Sequence, residues 1–338
     1  MKDLLKKLCL INSISGDELA VREIIVSEIK DFCDYRVDPL GNLICFRKGR
    51  KTSDKKVMIA AHMDEVGFIV TGIFPDGTLA FDMVGGVDAS VTIGRQVTVG
   101  KNHMHGVVGS TAVHNLSKEQ REKFPEMKSL YIDIGAENKE DAEKYISPGD
   151  CVYFDSEFTE SGSHIRSKAI DDRAGCAMMI RLIQEQPEYD TYFVFNVQEE
   201  IGLRGSRVSA FSVQPDFAIV LEATTASDID GVSGNKKVCS LGDGAVVSFM
   251  DRSTVYDKEL YRLAFDIARE NNLPCQTKTM IAGGNDAGAI HVTGKGIRTI
   301  AVSVPCRYLH SASCVINPED FENSYLLVRK LAERIHGL

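Results

Sequence analysis

Four short runs of this chain are apolar, and helical patterns lie between them. They are KVMIAA (Lys56–Ala61), YFVFNV (Tyr192–Val197), FAIVL (Phe217–Leu221) and the segment Thr299–Val304. A continuous run such as KVMIAA marks a strand buried on both faces. Strands that alternate with helices imply a mostly parallel sheet with helices covering both sides, hence an α/β fold. A hairpin turning at Gly41-Asn42 precedes the first run. Helices are expected over residues 17–31, with Ser15 or Asp17 as cap, and over Asp172–Gln184 and Lys258–Glu270. Another should begin near Asp286. A last one opens at Asn317-Pro318, where Asn317 can cap and Pro318 can take the first helical position.

The alternation is interrupted. Between about Gly67 and Gly162 the chain turns to short β segments punctuated by glycine, with two charged stretches among them. The α/β pattern resumes afterwards, so this part is inserted rather than appended. The expected organisation is a catalytic domain of residues 1–66 and 163–338 around a small β-rich domain of residues 67–162.

A chain of 338 residues can bury a large core, and a net charge of -9 argues against nucleic acid as a partner. No apolar run reaches membrane-spanning length, and Lys6 and Lys7 break the N-terminal apolar stretch, which reads as a short amphipathic helix rather than a signal peptide. The nine cysteines include no C-x-x-C pair and read as reduced thiols in a cytoplasm.

Ligands in open α/β sheets bind beyond the carboxyl ends of the strands. There the sequence places His62-Met63-Asp64-Glu65, Gln198-Glu199-Glu200, Glu222 and His310, with Asp171-Asp172 at the mouth of a helix. Taken singly, each has a plain structural reading: a surface histidine, a helix cap, a loop carboxylate. Taken together, two histidines and at least three carboxylates on one sheet edge suit a pair of divalent cations with nitrogen and oxygen ligands, as zinc, cobalt or manganese accept. Metals also explain the adjacent Glu199 and Glu200. One can be a ligand and the other a general base, and spacing alone leaves open which is which. Asp64 suits a partner that orients the His62 imidazole. The chain has no G-x-S-x-G elbow and no Walker lysine. GGVDAS and GGNDAG are glycine turns without a dinucleotide fingerprint. A glycosidase could use two of the carboxylates but would leave the histidines without a role.

The motifs AAHMDEVGF, KAIDDRAG, VQEEIGLRGS, GGNDAG and PCRYLHS, in this order, resemble those of the tetrahedral aminopeptidases. These are di-metal glutamyl, leucyl and lysyl aminopeptidases, some of them labelled endoglucanases. The likeness covers nearly the whole chain, including the LYIDIGAENKEDAEK segment of the insert. It implies a zinc-exopeptidase-like catalytic domain and a PDZ-like insert used in oligomerisation, giving a dodecamer or a dimer. It also implies metal ligands His62, Asp171 (bridging), Glu200, Glu222 and His310, with Glu199 as general base and Asp64 as partner of His62. Glu222 departs from the family, which usually has Asp there. The implied reaction is removal of the N-terminal residue of a peptide with two divalent ions per chain, zinc first, cobalt or manganese also fitting. A related deacylase or carboxypeptidase-like hydrolase of N-acyl amino acids, or a catalytically silent scaffold, are the alternatives. Arg307 could make a pocket tolerant of acidic side chains, or pair with a structural carboxylate.

Overall fold

The computed structural model describes residues 1–234 and 236–338. Its main sheet has eight strands in the order Asp34–Val37, Leu43–Arg47, Thr191–Asn196, Val57–His62, Phe217–Thr225, Arg298–Cys306, Ala245–Val247, Cys275–Thr277. The central four are parallel to one another. The sheet is nevertheless mixed, because both flanks bring in antiparallel pairs beside the four parallel ones. On one flank the cause is local. Asp38 accepts the backbone N–H groups of Leu40, Gly41 and Asn42 through one oxygen, closing a tight hairpin. Strands joined by so short a turn can only run antiparallel.

Alternate residues of the central strands feed two separate cores. Ile59, Ala61, Phe193, Phe195, Ile219 and Leu221 face the helices Lys2–Cys9, Leu19–Ile29, Ile170–Gln184 and Pro318–Arg334. Met58, Ala60, Val194, Ala218 and Val220 face the helix Arg204–Val213 and the single turn Ala287–Ile290 on the other side. Period-two alternation with both faces apolar is why KVMIAA shows no polar positions. The helix expected from Asp286 is thus only one turn long. Among the described residues, no helix is long and apolar enough to cross a membrane.

Six antiparallel strands between Gly67 and Phe154 close into a small barrel, in the order Gly67–Ile73, Leu79–Val84, Tyr131–Asp133, Met104–Gly109, Gln96–Val99, Cys151–Phe154. It has its own apolar cluster, centred on Phe68 with Phe81 and Phe154 packed edge-on against it. Thr159–Ser161, His164–Ser167 and Cys314–Ile316 form a separate three-stranded sheet.

The expected capping of the second helix does not occur. Its N-cap is Glu18, and no side chain caps it. Ser15 instead donates its hydroxyl to Asp64, and Asp17 accepts from the Tyr153 hydroxyl. Both side chains are drawn away from the helix by acceptors and donors brought in by tertiary packing. By contrast, Asn317 caps the last helix as expected, accepting from the Glu319 N–H.

Candidate metal centre

His62 is the last residue of its strand and is buried. Its Nδ1 lies 3.0 Å from the backbone carbonyl of Asp64. A carbonyl can only accept, so Nδ1 carries the hydrogen and Nε2 is left to face Asp171 Oδ1 and Glu222 Oε1, each at 3.3 Å. His310 repeats the pattern. Its Nδ1 donates to the Gly86 carbonyl at 2.9 Å, and Nε2 faces Asp171 Oδ2 at 3.4 Å and Glu200 Oε1 at 3.3 Å. Asp171 therefore stands between the two imidazoles with one oxygen toward each.

Local backbone geometry sets up this convergence. Asp171 and Asp172 lie at the start of the helix Ile170–Gln184 but have non-helical angles, so the Asp171 side chain leaves the helix toward the strand ends. Asp172 folds back to accept the Gly175 N–H at 2.9 Å. Only glycine permits this, because a Cβ at position 175 would lie 2.3 Å from the Asp172 carboxylate. Four non-glycine residues next to or within the cluster, Ala169, Gln198, Tyr308 and His310, have φ between 55° and 59°. Such left-handed angles cost an ordinary residue about 1 kcal/mol or more and persist where the surroundings over-determine them, commonly at functional sites.

Asp64 does more than attend to His62. Its carboxylate stands 3.5 Å from Nδ1, farther than its own carbonyl, and accepts the backbone N–H groups of Glu199 and Glu200 at 3.1 and 3.2 Å and the Ser15 hydroxyl at 2.6 Å. Glu18 accepts the Gln198 N–H at 3.1 Å. Beneath the site, Lys168 and Glu65 form a buried ion pair at 2.8 Å that joins the loop after His62 to the loop before Asp171. Asp286, from GGNDAG, is buried and accepts from Asn196 at 2.8 Å. Glu65, Lys168, Ser15 and Asp286 were not singled out as site residues in the sequence. For Glu65, Lys168 and Asp286 the one signal was their position inside motifs that carry ligand-type residues; Ser15 lies outside them and gave none.

The electrostatics are those of an anionic cluster short of positive charge. Burial pushes Glu199 and Glu222 well above the usual carboxylate range and raises Glu200. Burial acts the same way on Asp171, but His310 and His62 outweigh it and hold that carboxyl low. For the histidines, burial disfavours the proton; Asp171, Asp64 and Glu222 override it at His62, and Asp171 with Glu200 lift His310 to about 11. Asp172 Oδ2, Glu222 Oε2 and Asp286 Oδ1 are buried without a hydrogen-bond partner. Such orphaned acceptors are expensive unless a cation or proton meets them. Among the described residues, the ligand-type atoms that gather within 4.8 Å are those of His62, Asp171 and Glu200, and those of His62, Asp172 and Glu222. The donors are imidazole nitrogen and carboxylate oxygen, so the residues fit a divalent cation of the zinc, cobalt or manganese type.

The family model of the M42 glutamyl aminopeptidases matches residues 41–327. The chain belongs to this family. The lysyl aminopeptidase of Pyrococcus furiosus is 33% identical over 344 residues, covering 98% of this chain and 97% of that one. The crystal structure of a TET aminopeptidase from a marine sediment thaumarchaeon superposes with a TM-score of 0.95 at 32% identity, over 99% of this chain and 96% of the other. A TET peptidase of Pyrococcus horikoshii, described as able to assemble into a tetrahedron or a large octahedral shell, superposes at 0.85 with 35% identity, over 98% of both chains. This M42 member is a metallopeptidase-family hydrolase that removes N-terminal residues from peptides. That decides against the scaffold and glycosidase readings.

Proposed function

We propose that this aminopeptidase works with two divalent cations, zinc first, with cobalt or manganese able to substitute. His62, Asp171 and Glu222 would hold one; Asp171, Glu200 and His310 would hold the other. The observation that carries this reading is the placement of Asp171, whose two carboxylate oxygens each face the Nε2 of a different histidine. When bound, the cations supply Lewis acidity toward the scissile carbonyl and an attacking water of lowered pKa. The chain's own residues do the rest. Glu199 makes no side-chain hydrogen bond or ion pair among the described residues, whereas Glu200 is engaged by His310. The free Glu199 carboxylate takes the proton of the attacking water and returns it to the departing amine. Its raised proton affinity suits both transfers. Asp64 holds the backbone of both glutamates in register with His62.

Residues 67–162 form, in this reading, a PDZ-like oligomerisation module, with residues 1–66 and 163–338 as the catalytic unit. Val113 and Phe124 are 67% and 87% exposed on the module, and apolar side chains so placed favour contact with another copy. The assembly expected of such a module is a closed homo-oligomer, a dodecamer or a dimer. Arg307 pairs with a structural carboxylate, two of its nitrogens binding Asp228 at 2.7 Å, which argues against its serving a cationic pocket.

The direct test is metal removal. A strong chelator should abolish hydrolysis of aminoacyl chromogenic substrates, zinc should restore it, and metal analysis should find two ions per chain. Full activity of the metal-free protein would contradict the reading.

A further inference from the structure

Gly85 and Gly86 follow the barrel strand Leu79–Val84, in the GGVDAS turn that has no role in the reading so far. The Gly86 carbonyl is the acceptor of the His310 Nδ1 hydrogen, across 224 positions of sequence. The fit is close. A Cβ on Gly85 would lie 2.7 Å from Val66 and 3.2 Å from Glu200 Cβ, and one on Gly86 would lie 3.4 Å from His310 Nδ1. The far side of the His310 loop is gripped as well. Ala312 is buried within the barrel's own apolar cluster. Its carbonyl accepts the Ser156 hydroxyl at 2.6 Å, just beyond the barrel strand Cys151–Phe154. His310 itself is at φ 56°, a conformation that needs support from outside its own segment.

The two histidines are therefore oriented from different places. The Nδ1 partner of His62 is the carbonyl of Asp64, two residues along its own strand end. The Nδ1 partner of His310 belongs to the barrel. A carbonyl at Nδ1 fixes the tautomer and ring direction of a ligating imidazole.

We propose that the inserted barrel is a positioning element of the metal centre: Gly86, Ser156 and the seat of Ala312 set the tautomer and direction of His310. The inference rests on the reading of His310 as a ligand. It goes beyond that reading by making one of the two cations, and not the other, depend on the barrel.

The test is competitive zinc titration of the purified full-length protein against a chelating dye, with wild type, Ser156→Ala, Ser156→Thr, Gly86→Val and His310→Ala. Ser156→Ala removes one hydrogen bond and should weaken one zinc ion by about 3–10-fold. A Cβ at position 86 would already be in contact with the His310 ring, so the two γ methyls of Gly86→Val crowd it further and should weaken the same ion by about 10–100-fold. The other ion should stay within about twofold of wild type, and Ser156→Thr, which keeps the hydroxyl, should restore binding. If His310→Ala loses one ion while Ser156→Ala and Gly86→Val hold both like wild type, the barrel's role is overturned and the ligand reading stands. Equal weakening of both ions also overturns it. If His310→Ala holds both ions, the ligand reading fails and this inference with it.

Discussion

The carboxylate of Asp64 accepts the backbone N–H of Glu199 at 3.1 Å, and its other oxygen accepts that of Glu200 at 3.2 Å. One buried side chain thus ties the strand end bearing His62 to the turn bearing both glutamates. Its carboxyl is held low: burial opposes the charge, but His62, Ser15 and the Glu199 amide outweigh it. Asp64→Asn would set an NH2 group against backbone donors and shift that turn. Turnover should fall by about a hundredfold, the scale of a misplacement near 1 Å, with metal content near wild type. Wild-type turnover in this variant would refute the positioning role.

Zinc binding should be linked to protons. In the metal-free chain His310 keeps its proton up to about 11, and His62 is raised as well, because carboxylates surround both. At neutral pH a cation must displace those protons, so affinity should rise with pH and binding should release about one to two protons. Calorimetry in two buffers of different ionisation enthalpy reads this directly. Identical heats in both buffers would contradict it.

Assembly should depend on the exposed apolar residues of the insert. Val113→Ser combined with Phe124→Ser should reduce the size of the particle measured by light scattering while leaving the circular dichroism spectrum unchanged. An unchanged particle would place the contacts elsewhere.

Arg307 should matter for stability more than for selectivity. Arg307→Ala leaves Asp228, whose side chain is 6% exposed, without its guanidinium partner. Unfolding free energy should fall by about 1–3 kcal/mol, reduced from a fully buried pair because Arg307 is partly exposed. The ratio of hydrolysis rates for glutamyl and leucyl substrates should change by less than about threefold. A large selective loss on the glutamyl substrate would restore Arg307 as a pocket residue.

The strand ends were readable because they are local. An apolar run that stops at His62, Glu199 or Glu222 announces both the strand and what it presents, and the rule for open sheets places them on one edge. Ser15 was misread for the opposite reason. Its sequence neighbours describe a helix start, while its partner Asp64 is 49 positions away. The Lys168–Glu65 pair and the Gly86–His310 contact span 103 and 224 positions, and no periodicity encodes them. The hairpin at Gly41-Asn42 was legible from its turn, but the antiparallel pairing of Leu43–Arg47 with Thr191–Asn196 and of Ala245–Val247 with Arg298–Cys306 was not, since strand order is decided by packing rather than by any one strand.

Glu199 and Glu200, adjacent in sequence, should have separate tasks. Glu200 faces His310 at 3.3 Å, while the Glu199 carboxylate has no side-chain partner among the described residues. The measurement is metal content and turnover at saturating zinc for Glu199→Gln and Glu200→Gln. Glu199→Gln should keep both ions and lose turnover by about a hundredfold or more, as removal of a general base does. Glu200→Gln should bind one ion more weakly and recover part of its rate with excess zinc. If both variants lose metal equally, or Glu199→Gln remains active, the division of labour is wrong.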